Sequence, residues 1–307
     1  MAKISVLMAT YKERKEHLSI AIESILNQTF KDFEFIIILD NPENLEHIDL
    51  IKEYQRKDDR IKFYINEKNM GLPKTLNKGI QLASGQYLCR MDADDMSESN
   101  RLENQLDYLC SNGYDLIGGL STMIDEDGNM IYKIKSVPTD FNKIKKALKY
   151  NQVISHPTWF GKIEVFKSLN GYRLIPLCED YDFTLRAVLK GYKVSNLNIN
   201  VLNYRMTKNS VSRSNLYEQY LYMRYITNQY SDGKVADLSL AGQYVNQHKN
   251  KRKSNAYLRS NMYFNEMLNK LELKQYGKFC ILGIKLIFSS KDYLKKIYRL
   301  LRVSMYS

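Results

Sequence analysis

The stretch Gly85-Gln86-Tyr87-Leu88-Cys89-Arg90-Met91-Asp92-Ala93-Asp94-Asp95 decides how this chain is read. Ala83-Ser84-Gly85 is a turn composition, and the short apolar run after it reads as a buried strand. That run ends in Asp92, Asp94 and Asp95. Carboxylates so close repel one another, a cost tolerated where a cation sits among them or where they bind a polar ligand. A hard divalent ion such as Mg²⁺ or Mn²⁺ takes oxygen ligands, commonly one or two carboxylates with phosphate oxygens completing the shell. The plainer reading, an acidic turn leading into a helix capped by Ser97 or Ser99, stands beside it.

Upstream, residues 3–9 form a strand pattern that ends at Ala9-Thr10-Tyr11, and a helix pattern covers 15–28. Phe33 to Leu39 is an unbroken apolar strand closed by Asp40-Asn41-Pro42. A helical segment over 44–58 precedes a short strand, Ile61 to Ile65. Asn69-Met70-Gly71-Leu72-Pro73 is a turn with Pro73 suited to the first helical position, and a helix runs on to Ala83. Strands alternating with helices predict a parallel sheet with helices on its faces. Ligands of such sheets bind at the carboxyl ends of strands, where this chain places Thr10, Tyr11, Asp40 and Asp92 to Asp95. The sequence contains no G-x-G-x-x-G after the first strand and no G-x-x-x-x-G-K-[ST], so the usual dinucleotide and P-loop phosphate cradles are missing.

Downstream, a helix is predicted near 99–112, then separate strands at Asp115–Gly118, Leu120–Ile124 and Met130–Lys135. The last two flank Asp125-Glu126-Asp127-Gly128-Asn129, a hairpin turn. A lysine-rich helix is expected at 140–149, followed by the apolar segment Val153 to Phe160, with His156-Pro157 inside it. Cys178-Glu179-Asp180-Tyr181-Asp182 opens a helix that closes at Gly191; acids there also simply favour the helix dipole. From Ser212 the character changes to helical patterns rich in Tyr, Asn and Lys. The segment Lys274 to Arg302 reads as one basic, partly amphipathic helix, able to lie on an anionic membrane or to pack on the main domain with its lysines in water.

A net charge of +12 favours a polyanionic partner: nucleic acid, acidic lipid or a phosphorylated substrate. Cys89, Cys110, Cys178 and Cys280 are scattered without zinc spacing, as expected of reduced thiols in a cytoplasmic protein. No signal-peptide pattern opens the chain, and no run of about eighteen apolar residues predicts a membrane span.

Together these segments resemble the inverting glycosyltransferases of family 2. The likeness covers roughly 3–213: Ser5 to Tyr11, Ile25 to Phe30 with Phe33-Glu34, Asn69 to Gly79, Asp92-Ala93-Asp94-Asp95, and Glu179-Asp180 with Arg186 and Gly191. The resemblance implies an α/β GT-A fold, with a mostly parallel Rossmann-like sheet flanked by helices and a C-terminal helical region. It implies a catalytic domain over 1–212, with a nucleotide-sugar half at 1–98 and an acceptor half at 99–212, and a basic helical region at 213–307. It places Ala9, Thr10 and Tyr11 at the nucleotide base, uracil in the family pattern, with Asp40 accepting a hydrogen bond from it. Asn69, Gly71 and Lys74 fall near the nucleotide. Asp92 and Ala93 face the donor, Asp94 with Asp95 holds Mn²⁺ or Mg²⁺, and Asp180 is the general base. Glu179, His156 and Arg186 fall on the acceptor side. Two departures are Leu39, where many relatives carry an aspartate, and Thr207, where many carry a metal-binding histidine. The implied activity is metal-dependent transfer of a hexosyl or N-acetylhexosaminyl group from a nucleotide-sugar to a saccharide acceptor. That acceptor is lipid-diphosphate-linked at the cytoplasmic membrane face in similar enzymes building capsule, O-antigen or cell-wall polymers.

Two other classes fit part of this pattern. A sugar nucleotidyltransferase shares the sheet and acidic site but carries a Gly-rich basic loop after the first strand, which is missing here. A nucleic-acid-binding protein suits the charge, yet no helix-turn-helix, zinc or RNA-binding motif supports it, so nucleic acid is not an expected partner.

Overall fold

The apolar runs fold as β1 (Ile4–Thr10), β2 (Phe33–Leu39), β3 (Ile61–Ile65) and β4 (Tyr87–Asp92), joined by α1 (Lys15–Leu26), α2 (Leu45–Lys57) and α3 (Leu72–Leu82). This computed structural model describes residues 2–207 and 215–306. Each helical crossover returns the chain in the same direction, so the strands lie parallel in the order β3-β2-β1-β4. Their register pairs Ala9 with Asp92 and Thr10 with Leu39, which brings Thr10, Asp40 and Asp92 to one edge of the sheet. The strands interlock closely: a Cβ on Gly85 would lie 2.6 Å from the Ser5 backbone nitrogen.

The chain continues through β5 (Met96–Ser97), α4 (Arg101–Asn112), β6 (Leu116–Ile124), β7 (Met130–Lys133), α5 (Phe141–Ala147), β8 (Phe160–Lys162), α6 (Ile163–Ser168), α7 (Glu179–Leu189) and β9 (Val194–Arg205). The sheet extends as β4-β8-β6-β9-β5, with β7 paired to β6. β8 runs antiparallel to both its neighbours, so the sheet is mixed beyond β4. The expected break between Asp115–Gly118 and Leu120–Ile124 does not occur, because β6 passes straight through Gly118-Gly119. The glycines are there for space: a Cβ on Gly118 would lie 2.6 Å from Asn196 Oδ1, and one on Gly119 2.6 Å from Val201 Cγ2.

Buried polar side chains lock the helices to the sheet. Gln28 donates to the Ser24 and Glu98 carbonyls and accepts from the Leu102 amide, tying the end of α1 to the start of α4. Fully buried Arg101 donates to the Arg90 carbonyl at 2.8 Å and the Pro157 carbonyl at 3.0 Å. This pair of bonds holds the His156–Thr158 turn against β4. Those acceptors matter because a buried cation left without partners is costly.

After residues 208–214, α8 (Leu216–Ser231), α9 (Leu238–His248), α10 (Lys251–Glu272), α11 (Tyr276–Ser289) and α12 (Lys291–Ser304) complete the described chain. The expected boundary at 212/213 lies outside the described residues. Across it the apolar core is continuous: Tyr217, Leu221, Tyr257 and Tyr293 belong to the cluster that holds Leu7, Trp159 and Phe183. The single helix expected over Lys274 to Arg302 is two helices. Ser290 ends α11, and its hydroxyl accepts the Tyr293 amide to cap α12. Nor do all the basic residues face water. Arg299 donates to the carbonyls of Lys149 and Tyr150, and Arg302 lies over the Tyr150 ring.

Candidate active site

The carboxyl edge of the sheet opens into a cleft of about 1460 Å³, larger than the roughly 300–1,000 Å³ typical of a site for one small ligand. One end is built by the ends of β1, β2 and β4, where Ala9, Thr10, Tyr11, Asp40, Asp92 and Asp94 line the wall. The other end is built by the His156 turn and the first turn of α7, where Glu179 and Asp180 line it. Ala93, Asn69 and Gly71 also reach the cleft.

The Asp40 carboxylate organises the 69–71 turn. Its Oδ1 accepts from Asn66 Nδ2 at 2.7 Å and from the Met70 amide at 2.8 Å, and its Oδ2 accepts from the Gly71 amide at 2.8 Å. Gly71 has φ +81°, which a residue with a Cβ adopts only under strain. Tyr11 stands exposed at the mouth with Lys12 Nζ 5.5 Å from its ring centroid. Thr10 Oγ1 and the Tyr11 amide both donate to Glu13 Oε2, at 2.6 and 2.8 Å, which fixes the turn after β1.

Negative charge gathers at the end of β4. Burial, with the charges of Asp92 and Glu13, pushes Asp94 up to about 7. Arg90, buried in the same strand, forms an ion pair with Asp92 through Nη2. This donor set fits a hard cation that takes one or two carboxylates and completes its shell with water and phosphate oxygens. It is no closed cage: among the described residues, no cluster of three or more His, Cys, Asp or Glu side chains is disposed around a metal position. Thr207 lines the cleft in the place expected for a histidine.

At the far end, burial and the Asp180 charge push Glu179 up to about 7. Asp180 is also raised by burial, against the Tyr181 amide and Arg90, which lower it. His156 Nε2 lies 2.7 Å from the Tyr172 hydroxyl, with its ring edge-on to Trp159. Burial and the nearby Arg90 push its imidazole well below the ordinary range, so it is neutral.

Three expected site residues are not brought to the cleft wall. Asp95 is buried behind it, its Oδ1 accepting the Arg205 amide at 2.8 Å and so joining β4 to β9. Arg186 is buried against Asp182 and the carbonyls of Leu169 and Gly171, where it braces the loop before α7. Lys74 is exposed on the first turn of α3, away from the cleft; the lysine on the cleft wall is Lys12. Sequence reasoning missed Arg90, Lys12, Glu13, Leu177 and Gln219, all of which line the cleft. Arg90 had a legible signal, a charged residue inside an otherwise apolar strand. Gln219 had none.

The chain matches Glycosyl transferase family 2 over residues 5–169. It is 40% identical over 204 residues to the uncharacterized glycosyltransferase MJ1057 of Methanocaldococcus jannaschii, covering 66% of this chain and 70% of that protein. It is 35% identical over 212 residues to the O-antigen biosynthesis glycosyltransferase WbnJ of Escherichia coli, covering 68% of this chain and 82% of WbnJ. Among solved structures, S. aureus TarS 1–349 in complex with UDP-GlcNAc superposes with a TM-score of 0.62 at 17% identity, covering 99% of this chain and 89% of that one. The longer TarS structure is matched over 45% of its length. The mannosyltransferase PcManGT of Pyrobaculum calidifontis, in complex with GDP-Man and Mn2+, superposes with a TM-score of 0.58 at 12% identity, covering 99% of this chain and 87% of that one. With a sheet of this order, a cleft at its carboxyl edge and a family match across more than half its length, the chain belongs to glycosyl transferase family 2 and has the GT-A fold.

Proposed function

We propose that this glycosyltransferase moves a hexosyl or N-acetylhexosaminyl group from a UDP-sugar to a saccharide acceptor with inversion. The observation that carries the reading is that Asp94 and Asp180, from opposite ends of the catalytic sequence, line one cleft. Residues 1–98 bind the donor, and residues 99–212 bind the acceptor. Tyr11 stacks on the base, Asp40 accepts from it through its remaining lone pair, and Asp92 faces the ribose. Asp94 would hold Mn²⁺ or Mg²⁺, which would supply Lewis-acid stabilisation of charge on the diphosphate. Asp180 takes the proton of the attacking hydroxyl as the new bond forms, and Glu179 beside it orients the acceptor. One base opposite the leaving group suffices for direct displacement, which inverts the anomeric centre.

The acceptor in this reading is lipid-linked and met at the anionic inner face of the cell membrane, in the synthesis of a surface polysaccharide. Two observations support it. WbnJ, 35% identical, is named for O-antigen biosynthesis. The outer face of α11 is apolar, with Ile284 58% and Phe288 83% exposed between Lys278, Lys285 and Lys291. No helix among the described residues is long and apolar enough to cross a membrane. Turnover against UDP-, GDP- and dTDP-sugars with Mn²⁺ or Mg²⁺, with the anomeric configuration of the product read by NMR, tests the reading. UDP release that needs the cation and gives an inverted product supports it. Turnover only of another nucleotide class, or retention, contradicts it.

A further inference from the structure

Leu177 has a left-handed backbone, φ 63°, a conformation that residues with a Cβ disfavour. It directly precedes Cys178, the N-cap of α7, and the acid pair Glu179-Asp180 in the helix's first turn. Besides its own backbone bonds, this turn is restrained by α8. Gln219 Nε2 donates to the Leu177 carbonyl at 3.0 Å, and the Cys178 thiol lies 3.6 Å from the Gln219 main-chain carbonyl, donating to it. Leu177, Glu179, Asp180 and Gln219 all line the cleft. Gln219 lies beyond the 5–169 family match, on the first of the C-terminal helices.

We propose that Gln219 is a positioning residue: its side-chain amide holds Leu177 in the left-handed conformation and thereby fixes where Glu179 and Asp180 stand in the cleft. The catalytic part of this inference rests on the acid pair serving the transfer reaction, whereas its conformational part does not. Strain held at a turn beside reacting groups is a recurrent feature of active sites. Without the amide donor, leucine at 177 relaxes to ordinary backbone angles and the start of α7 loosens.

Hydrogen–deuterium exchange of the full chain tests this, comparing wild type with Gln219→Ala, Gln219→Glu and the double variant Leu177→Gly/Gln219→Ala. Gln219→Glu keeps the shape but turns the donor into an acceptor facing a carbonyl. In both single variants, amides at the start of α7, including the Asp182 amide bonded to Cys178 O, exchange about tenfold faster, matching the preference against left-handed leucine. Amides of β1 and β2 keep their protection. Glycine at 177 restores slow exchange, because it takes that conformation without strain. In turnover of a UDP-sugar, kcat falls about tenfold in the single variants, KM for the donor changes less than twofold, and the double variant recovers. Wild-type exchange in Gln219→Ala, loss of protection throughout the chain, no rescue by glycine, or an unchanged kcat overturns the proposal. A wild-type protein that turns over no nucleotide-sugar defeats the functional reading instead, and the exchange data still decide the role of Gln219.

Discussion

Arg90 pairs with Asp92 through Nη2, while its Nε and Nη1 are buried with no hydrogen-bond partner among the described residues. A guanidinium so poorly satisfied persists because of the charges around it. It bears electrostatically on Asp94, Asp95, Glu179 and Asp180. This buried cation bears on carboxylates at both ends of the cleft, and it offsets charges that otherwise repel.

Thermal unfolding of Arg90→Met, Asp92→Asn and the double variant measures this pairing. Asp92 is partly exposed, which weakens the pair relative to a fully buried one. The expected coupling is about 1–2 kcal/mol, with the double variant less destabilised than the sum of the single ones. Additive losses contradict it.

The raised pKa of Glu179 sets the sign of a pH effect. Glu179 ionises near 4.5 when free and near 7 in the cleft, so the native state binds the extra proton between these values. That contribution to stability is complete below the lower value and is lost as pH rises through the upper one. Asp94, raised to about 7, acts in the same window. Without divalent cations, Tm therefore falls by a few degrees between about pH 5 and pH 8, and Glu179→Gln makes the fall shallower. An equal slope in the variant contradicts the assignment.

Vesicle sedimentation tests the membrane face. Deleting residues 274–307 is a poor test, because it removes Tyr293 from the core and Arg299 from its carbonyl partners. Ile284→Glu/Phe288→Glu changes only exposed positions. It is expected to weaken binding to anionic vesicles about tenfold or more, while added salt weakens wild-type binding. Unchanged binding removes the membrane proposal.

Residues 1–98 were legible because their strands are plain apolar runs, such as Phe33 to Leu39, set between helices and polar turns. Asp40 and Asp94 follow closely on such runs, and both line the cleft. Residues 99–212 were less legible. β9 carries Asn196, Asn198, Asn200 and Asn203, which hide a strand whose polar side chains are used inside: Asn196 donates to the carbonyls of Pro138 and Val153, and Asn200 donates to Glu98. Asp95 and Arg186 are buried behind the wall, and sequence does not say which side of a wall a charged group faces. Leu177 and Gln219 meet only through tertiary packing of α8 on the turn before α7.

The most direct test separates the two ends of the cleft. UDP binding with Mn²⁺ is measured by calorimetry alongside transfer rate for Asp180→Asn and Asp94→Ala. The account predicts that Asp180→Asn keeps UDP affinity within about twofold while its rate falls on the order of 10²–10⁴-fold, the usual range for a lost general base. Asp94→Ala is predicted to lose the cation-dependent part of UDP binding. Near-normal turnover in Asp180→Asn, or cation-dependent UDP binding unchanged in Asp94→Ala, contradicts the account.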